Sequence, residues 1–186
     1  MNDLTLRYQI ERVATLSDTV AFEKLYYHYY RKLRRFAYTL IKDEGAAEEV
    51  TSDAFVNLWK HRFRLLEIES IDRYIYVSVR NLAIRKASQI KRRATFSIDD
   101  IDIAIISTQM SPEAILLNKE TVKRMEAIIE SLPSRCRIIY RLAKQDGLRY
   151  KEIAGILNLS VKTIDAQIAI AVCRITKAVK YNFQIA

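Results

Sequence analysis

The chain has 186 residues, half of them hydrophobic, a formal net charge of +9, and only three glycines and two prolines. That apolar content excludes global disorder, and so few turn-formers exclude a many-stranded β protein, whose tight turns call for them. A surplus of positive charge attracts polyanions (nucleic acid, an anionic membrane surface or an acidic protein) or serves only as a solubilising surface, so where the charge sits must decide.

Residues 1–13 are polar and mixed in charge, which does not read as a signal peptide, and no apolar run approaches the ~18 residues of a membrane span. Phe22, Leu25, Tyr26, Tyr29, Leu33, Phe36, Ala37 and Leu40 recur at helical spacing, with Asp18 as N-cap and Asp43-Glu44-Gly45 as the stop. His28 lies inside this aromatic-rich stretch and reads as structural. A second helix is expected over residues 46–63, with Val50, Ala54, Phe55 and Leu58 on one face. A polar link, residues 64–70, leads to a third helix over 71–92 with Ile71, Tyr74, Ile75, Ser78 and Leu82 inward.

Composition then reverses. Residues 73–93 hold seven Lys/Arg and no acid, whereas residues 94–118 hold four acids and no base. The reversal, with Pro112, marks a linker; Ile101, Ile103, Ile105 and Ile106 within it suggest that it docks on something. From Pro112 the chain reads as helical again. The expected fold is all-α: two small helical domains, residues 1–93 and 119–186, joined by an acidic linker over 94–118.

The second domain carries a helix-turn-helix pattern. Residues 151–158 make a short helix with Ile153, Ala154 and Leu157 inward, Ala154 being small enough for a close helix crossing. Asn158 tolerates the left-handed backbone of a sharp turn, and Ser160 is a good N-cap for the next helix. That helix carries Val161, Ile164, Ile168, Ala171, Val172 and Ile175 on one face and presents Lys162, Thr163, Ala166 and Gln167 near its start, where such a helix reaches base edges. Arg141, Arg149 and Lys151 are placed to hold phosphate. An ordinary helical hairpin remains open as an alternative. Cys136 and Cys173 lack the spacing of a disulfide framework or zinc site and read as buried thiols of a reducing cytoplasm.

Leu132-Pro133-Ser134-Arg135-Cys136-Arg137, Gly147 to Ala154 and Leu159 to Ile164 together resemble the promoter-reading domain of extracytoplasmic-function sigma factors, a subfamily of the sigma-70 family. Ala47 to Val50 with Asp53 to Trp59 is similar to their polymerase-binding helix, and Tyr74 and Tyr76 with Arg80 to Ile84 to their helix for the −10 element. The resemblance implies a transcription initiation factor, cytoplasmic and without enzymatic activity or cofactor. Implied partners are core RNA polymerase (β′ and β subunits), promoter DNA and an anti-sigma factor, with no small-molecule substrate and no embedding in a membrane.

The resemblance implies polymerase contact by Glu49, Ser52, Asp53, Asn57 and Trp59, with Trp59 open between interface and core. It implies −10 contact by Tyr74, Tyr76, Arg80, Asn81, Arg85, Lys86, Lys91 and Arg92. It implies −35 contact by Arg149, Lys151, Ser160, Lys162, Thr163, Ala166 and Gln167, and capture of a flipped base by residues 64–70. Ser52-Asp53 replaces the family's usual Gln-Glu, and Ile170 and Cys173 stand where basic residues are common, which suggests an anti-sigma contact there. A non-sigma helix-turn-helix regulator explains the second domain equally well but leaves the basic third helix without a purpose. An enzyme would need more than His28 and His61, neither near a nucleophile or metal set. A purely structural module would make the basic faces incidental.

Overall fold

The computed structural model describes residues 3–94 and 116–183, and every regular element among them is helical. The first unit holds α1 (Asp3–Leu16), α2 (Thr19–Ile41), α3 (Glu44–Lys60), a 3-10 helix (Arg62–Glu67) and α4 (Ile71–Ala94). The second holds α5 (Leu116–Glu130), α6 (Ser134–Tyr140) continued by one π-helical turn (Arg141–Gln145), α7 (Tyr150–Leu157) and α8 (Val161–Phe183). Expectations for the acidic run, its isoleucines and the helix restart at Pro112 fall outside the described residues.

Helix α1 is an addition to the sequence reading. Its polar composition hides Leu6, Ile10, Val13 and Ala14, one stripe at helical spacing, all buried. It packs on α2 and on the 3-10 helix.

Helix α2 starts where expected: the Asp18 carboxylate accepts from the amides of Val20 at 2.9 Å and Ala21 at 3.0 Å. Its buried seam is Ala21, Leu25, Tyr29, Leu33, Phe36 and Ala37. Leu25 and Leu33 are fully excluded from solvent, each worth roughly 1.5–3 kcal/mol of transfer free energy. The helix stops at Lys42, left-handed at φ 63°. Asp43 and Gly45, expected in the stop, belong instead to the next start: the Asp43 carboxylate accepts from the Ala46 amide at 2.6 Å, and Gly45 lies in the first turn of α3.

Two further corrections concern the next elements. Residues 64–70 are not a plain polar link, because Leu65 is buried and winds most of the segment into the 3-10 helix. In α4 the buried stripe is Ile71, Ile75, Tyr76, Val79 and Ala83, while Tyr74, Ser78 and Leu82 sit half-buried on its flank. α4 packs on α2, α3 and also α7, and the wider contact surface rotates the stripe.

In the second unit, Ile128, Ile129, Leu132, Cys136, Ala171 and Ile175 form a small core between α5, α6 and α8. The two units are not separate bodies here. One continuous apolar cluster runs from Leu25 and Leu33 through Ile75 and Val79 to Ile153, Ile156 and Ile164.

Candidate nucleic-acid interface

The helix-turn-helix is built from backbone requirements upward. At the entry to α7, the Glu152 carboxylate accepts from the Arg149 amide at 2.9 Å. Ile153, Ala154 and Ile156 turn inward, Ile156 taking the position expected of Leu157. Asn158 ends the helix at φ 55°, ψ 51°, the left-handed conformation its short polar side chain tolerates. The chain then bends by 107° into α8, within the range of helix-turn-helix motifs. Ser160 caps α8, its hydroxyl accepting from the Thr163 amide at 3.0 Å. Ile164, Ile168, Ala171 and Ile175 anchor it.

Val161 and Val172, expected on that inner face, are exposed: Val161 precedes the first anchored turn, and Val172 points about 100° away from Ala171. On the outer face Lys162 and Ala166 are exposed, and Thr163 and Gln167 half-buried. Gln167 is partly committed, its Oε1 accepting from the Cys136 thiol at 2.9 Å. Arg149, Lys151 and Ser160 are exposed around the turn. Arg141 is not available for phosphate: it is buried and ion-paired with Glu126 and, at 2.7 Å, with Glu130. Cys136 is buried as expected, but Cys173 is exposed, beside the equally exposed Ile170.

Helix α4 carries the second basic surface. Arg85, Arg92 and Asn81 are exposed. Lys86 pairs with Glu49 of α3, so one cation of this surface is tied to one carboxylate of the expected polymerase edge. Lys91 lies in α4, but its side chain is outside the described residues. Arg80 is committed elsewhere: its Nη1 donates to the Ile156 carbonyl of α7 at 2.6 Å and its Nη2 to Asn81 Oδ1 at 2.9 Å. Tyr74 is half-buried. Tyr76 corrects the expectation of a DNA-facing side chain, for it is fully buried against Phe36, ring centroids 5.3 Å apart.

On α3, Glu49, Ser52 and Asp53 form an exposed edge, with Asn57 and Trp59 half-buried beside it. Phe55 is core, as the sequence favours, whereas Trp59 is shared: its ring meets Phe22 edge-on at 4.9 Å and keeps some surface free.

Sequence reasoning did not identify the polar cluster between the two units. The Asp146 side chain is only 2% exposed. It pairs with Arg35 of α2 and accepts from the Tyr76 hydroxyl at 2.9 Å. Burial raises the Asp146 carboxyl above its ordinary value, opposed by the Arg35 charge and the Tyr76 hydrogen bond. Burial, with Asp146 adding to it, also raises the Tyr76 phenol, which therefore stays protonated and donates. Nearby, the Ser70 hydroxyl donates to Glu152 at 2.9 Å. These partners lie 70 to 111 residues apart in the chain, and no local pattern joins them. Burial lowers His28, which sits edge-on to Tyr29 and is neutral at neutral pH.

Comparison with known proteins gives this geometry a family. Residues 25–93 match the family model for sigma-70 region 2, and residues 123–172 that for sigma-70 region 4. The chain is 27% identical over 176 residues to the ECF RNA polymerase sigma-E factor of Escherichia coli (strain K12), covering 89% of each. The factor of the same name from Salmonella typhimurium (strain LT2) is 26% identical over the same length. Among solved structures, the fold is shared with the sigma factor RpoE in complex with the anti-sigma factor NepR from Bartonella quintana. That match has TM-score 0.60 and 18% identity, over 86% of this chain and 96% of that one. The fold is also shared with CnrH in complex with the cytosolic domain of CnrY, with TM-score 0.56 and 17% identity, over 95% and 98%. Among the described residues no single helix is long and apolar enough to cross a membrane. The match of the first unit as well as the second disfavours a lone helix-turn-helix regulator, and the chain belongs to the sigma-70 family as a sigma factor of the extracytoplasmic-function type.

Proposed function

We propose that this sigma factor divides promoter recognition between its two cationic helices and does so in the cytoplasm, as a non-enzymatic subunit of the transcription machine. Residues 1–93 bind core polymerase and the −10 element, residues 119–186 read the −35 element, and residues 94–118 connect them. Glu49, Ser52, Asp53, Asn57 and Trp59 form the polymerase-facing edge of α3. Acidic groups around a partly covered aromatic anchor suit a basic helical partner.

Tyr74, Arg80, Asn81, Arg85, Lys86, Lys91 and Arg92 take the −10 strand. Their cations neutralise phosphate, and Asn81 supplies a donor and an acceptor for a base edge. Residues 64–70 capture a base flipped from the stack, whose unstacking costs a few kcal/mol that contacts must offset. Lys162, Thr163, Ala166 and Gln167 read the −35 major groove, with Arg149, Lys151 and Ser160 on phosphates. An anti-sigma factor that holds the two units together would keep these surfaces from DNA.

The observation that carries this reading is the exposed start of α8, Lys162 and Ala166 beyond the left-handed turn at Asn158. The test is transcription with purified core polymerase, with start sites mapped after the factor is overexpressed. Initiation at a defined set of promoters is expected; failure to start at any defined site would sink the proposal.

A further inference from the structure

The turn between α1 and α2 is joined to the 3-10 helix by a single arginine. Arg62 Nε donates to the Ser17 hydroxyl at 2.8 Å, and its Nη1 donates to the Trp59 carbonyl at 3.0 Å. The same guanidinium lies over two rings, 4.6 Å from the centroid of Trp59 and 4.2 Å from that of Phe63. Ser17 is held at φ 52°, a left-handed conformation unfavourable for a residue other than glycine. That conformation is kept by its surroundings: Arg12 of α1 pairs with Asp18 at 2.5 Å, and Asp18 in turn caps α2. From underneath, Leu65 anchors the 3-10 helix in the core, while Phe63 and Leu66 stay exposed at 61% and 56%.

A strained serine, a charged side chain sandwiched between two rings and two exposed apolar side chains therefore meet at one edge of the first unit. Phe63 and Leu66 are large apolar side chains left in solvent on an element that only Leu65 ties into the core, and such surface is available to a ligand. A guanidinium stacked under one face of Phe63 fixes that ring and leaves its other face open.

We propose that Arg62 and Ser17 are positioning residues: by tying the 3-10 helix to the turn between α1 and α2, they hold it so that the open face of Phe63 receives an unstacked promoter base. This rests on the reading of residues 64–70 as the base-capturing segment, which Phe63 borders and Leu66 belongs to. Neither residue touches the base. Arg62 sets the plane of Phe63, and Ser17 sets Arg62.

The test uses the full chain in holoenzyme, with 2-aminopurine placed in turn at positions of the −10 non-template strand, its fluorescence rising when the base leaves the stack. S17G is the informative variant. Glycine adopts φ 52° without strain, which offsets the lost hydrogen bond from Arg62, so a merely structural serine would be replaced with little change in melting temperature and unchanged base flipping. The proposal expects the fold and core-polymerase binding to be kept while the flipping rate falls roughly tenfold to a hundredfold, as small misplacements in preorganised sites do. R62A should fall at least as far. R62K should recover part of the loss, since an ammonium reaches Ser17 but offers no planar face to the rings.

F63A separates the two levels. If F63A loses flipping while S17G and R62A behave as wild type, the latch is wrong and the base-capture reading stands. If F63A and L66A also leave flipping unchanged at every probe position, the base-capture reading fails and takes the latch with it.

Discussion

Removing the Asp146 carboxylate should open the molecule. In the Asp146→Ala protein the Tyr76 hydroxyl stays buried and loses its acceptor, which costs about 1–3 kcal/mol. Arg35 also loses its partner, but its side chain is 34% exposed and can turn to water, so it adds little. Set against this, the variant no longer desolvates a carboxylate that burial disfavours. A net of about 1 kcal/mol toward the open form is a roughly fivefold shift in the ratio of closed to open molecules. The assay is energy transfer between a dye on the exposed Cys173 and one on a cysteine introduced at exposed Lys24. Tyr76→Phe supplies the check: with no hydroxyl to orphan, Asp146→Ala should shift the equilibrium much less in that background. Equal shifts in both backgrounds, or no change in transfer in either, would refute the reasoning.

Closure should depend on pH through the same residue. The Asp146 pKa is raised in the closed form, so closed molecules bind its proton more tightly than open ones. Closure therefore strengthens as pH falls from neutrality through the raised value toward the ordinary 3.8, and that gain is lost as pH rises; energy transfer in Asp146→Asn should lack this component. Ile164→Ala removes a fully buried anchor of α8 and should cost about 2–5 kcal/mol, read as a lower urea midpoint together with loss of −35 binding. Gln167→Ala should change which −35 sequences are preferred; a uniform fall in affinity across sequences would make Gln167 a backbone contact only.

Much of this was legible because it is local. The cap at Asp18, the left-handed turn at Asn158, the Ser160 cap and the Ile164 anchor each follow from the chemistry of one residue and its near neighbours. The apolar period located α2 and α8 for the same reason. Other features depend on what packs against what. Leu82 and Ala83 are both acceptable inward residues by spacing, and the packing of α4 among α2, α3 and α7 buries Ala83 and leaves Leu82 on the flank. Arg141 looks like any surface cation until Glu126 and Glu130 of α5 fold over it. Helix α1 was legible in principle, since Leu6, Ile10, Val13 and Ala14 form a stripe, but its charged and polar neighbours outweigh them in composition. Asp146 was not legible at all: an isolated carboxylate before Gly147 gives no hint of partners on α2 and α4.

On the proposed division of −10 and −35 contacts between the two units, the packed arrangement is not the one that occupies a promoter. Elements named −35 and −10 lie roughly 25 base pairs apart, or ~85 Å along a duplex with ~3.4 Å between successive phosphates on a strand, whereas α4 and α7 are in direct contact. About twenty residues separate α4 from α5, a covalent reach of at most ~75 Å, which with the domains' own widths is enough if they part. Arg80 reports on that parting because it works on both sides of the equilibrium. In the free chain it donates to the Ile156 carbonyl, so Arg80→Ala weakens closure and raises the share of open molecules while removing a phosphate contact, and the two effects oppose. In holoenzyme the same proposal has the units already apart, so that only the lost contact remains. Arg80→Ala should therefore change single-strand affinity of the free chain little, yet weaken holoenzyme binding to a −10 strand and reduce its salt slope by about 0.7. Equal losses in both settings would mean that Arg80 has no part in closing the molecule.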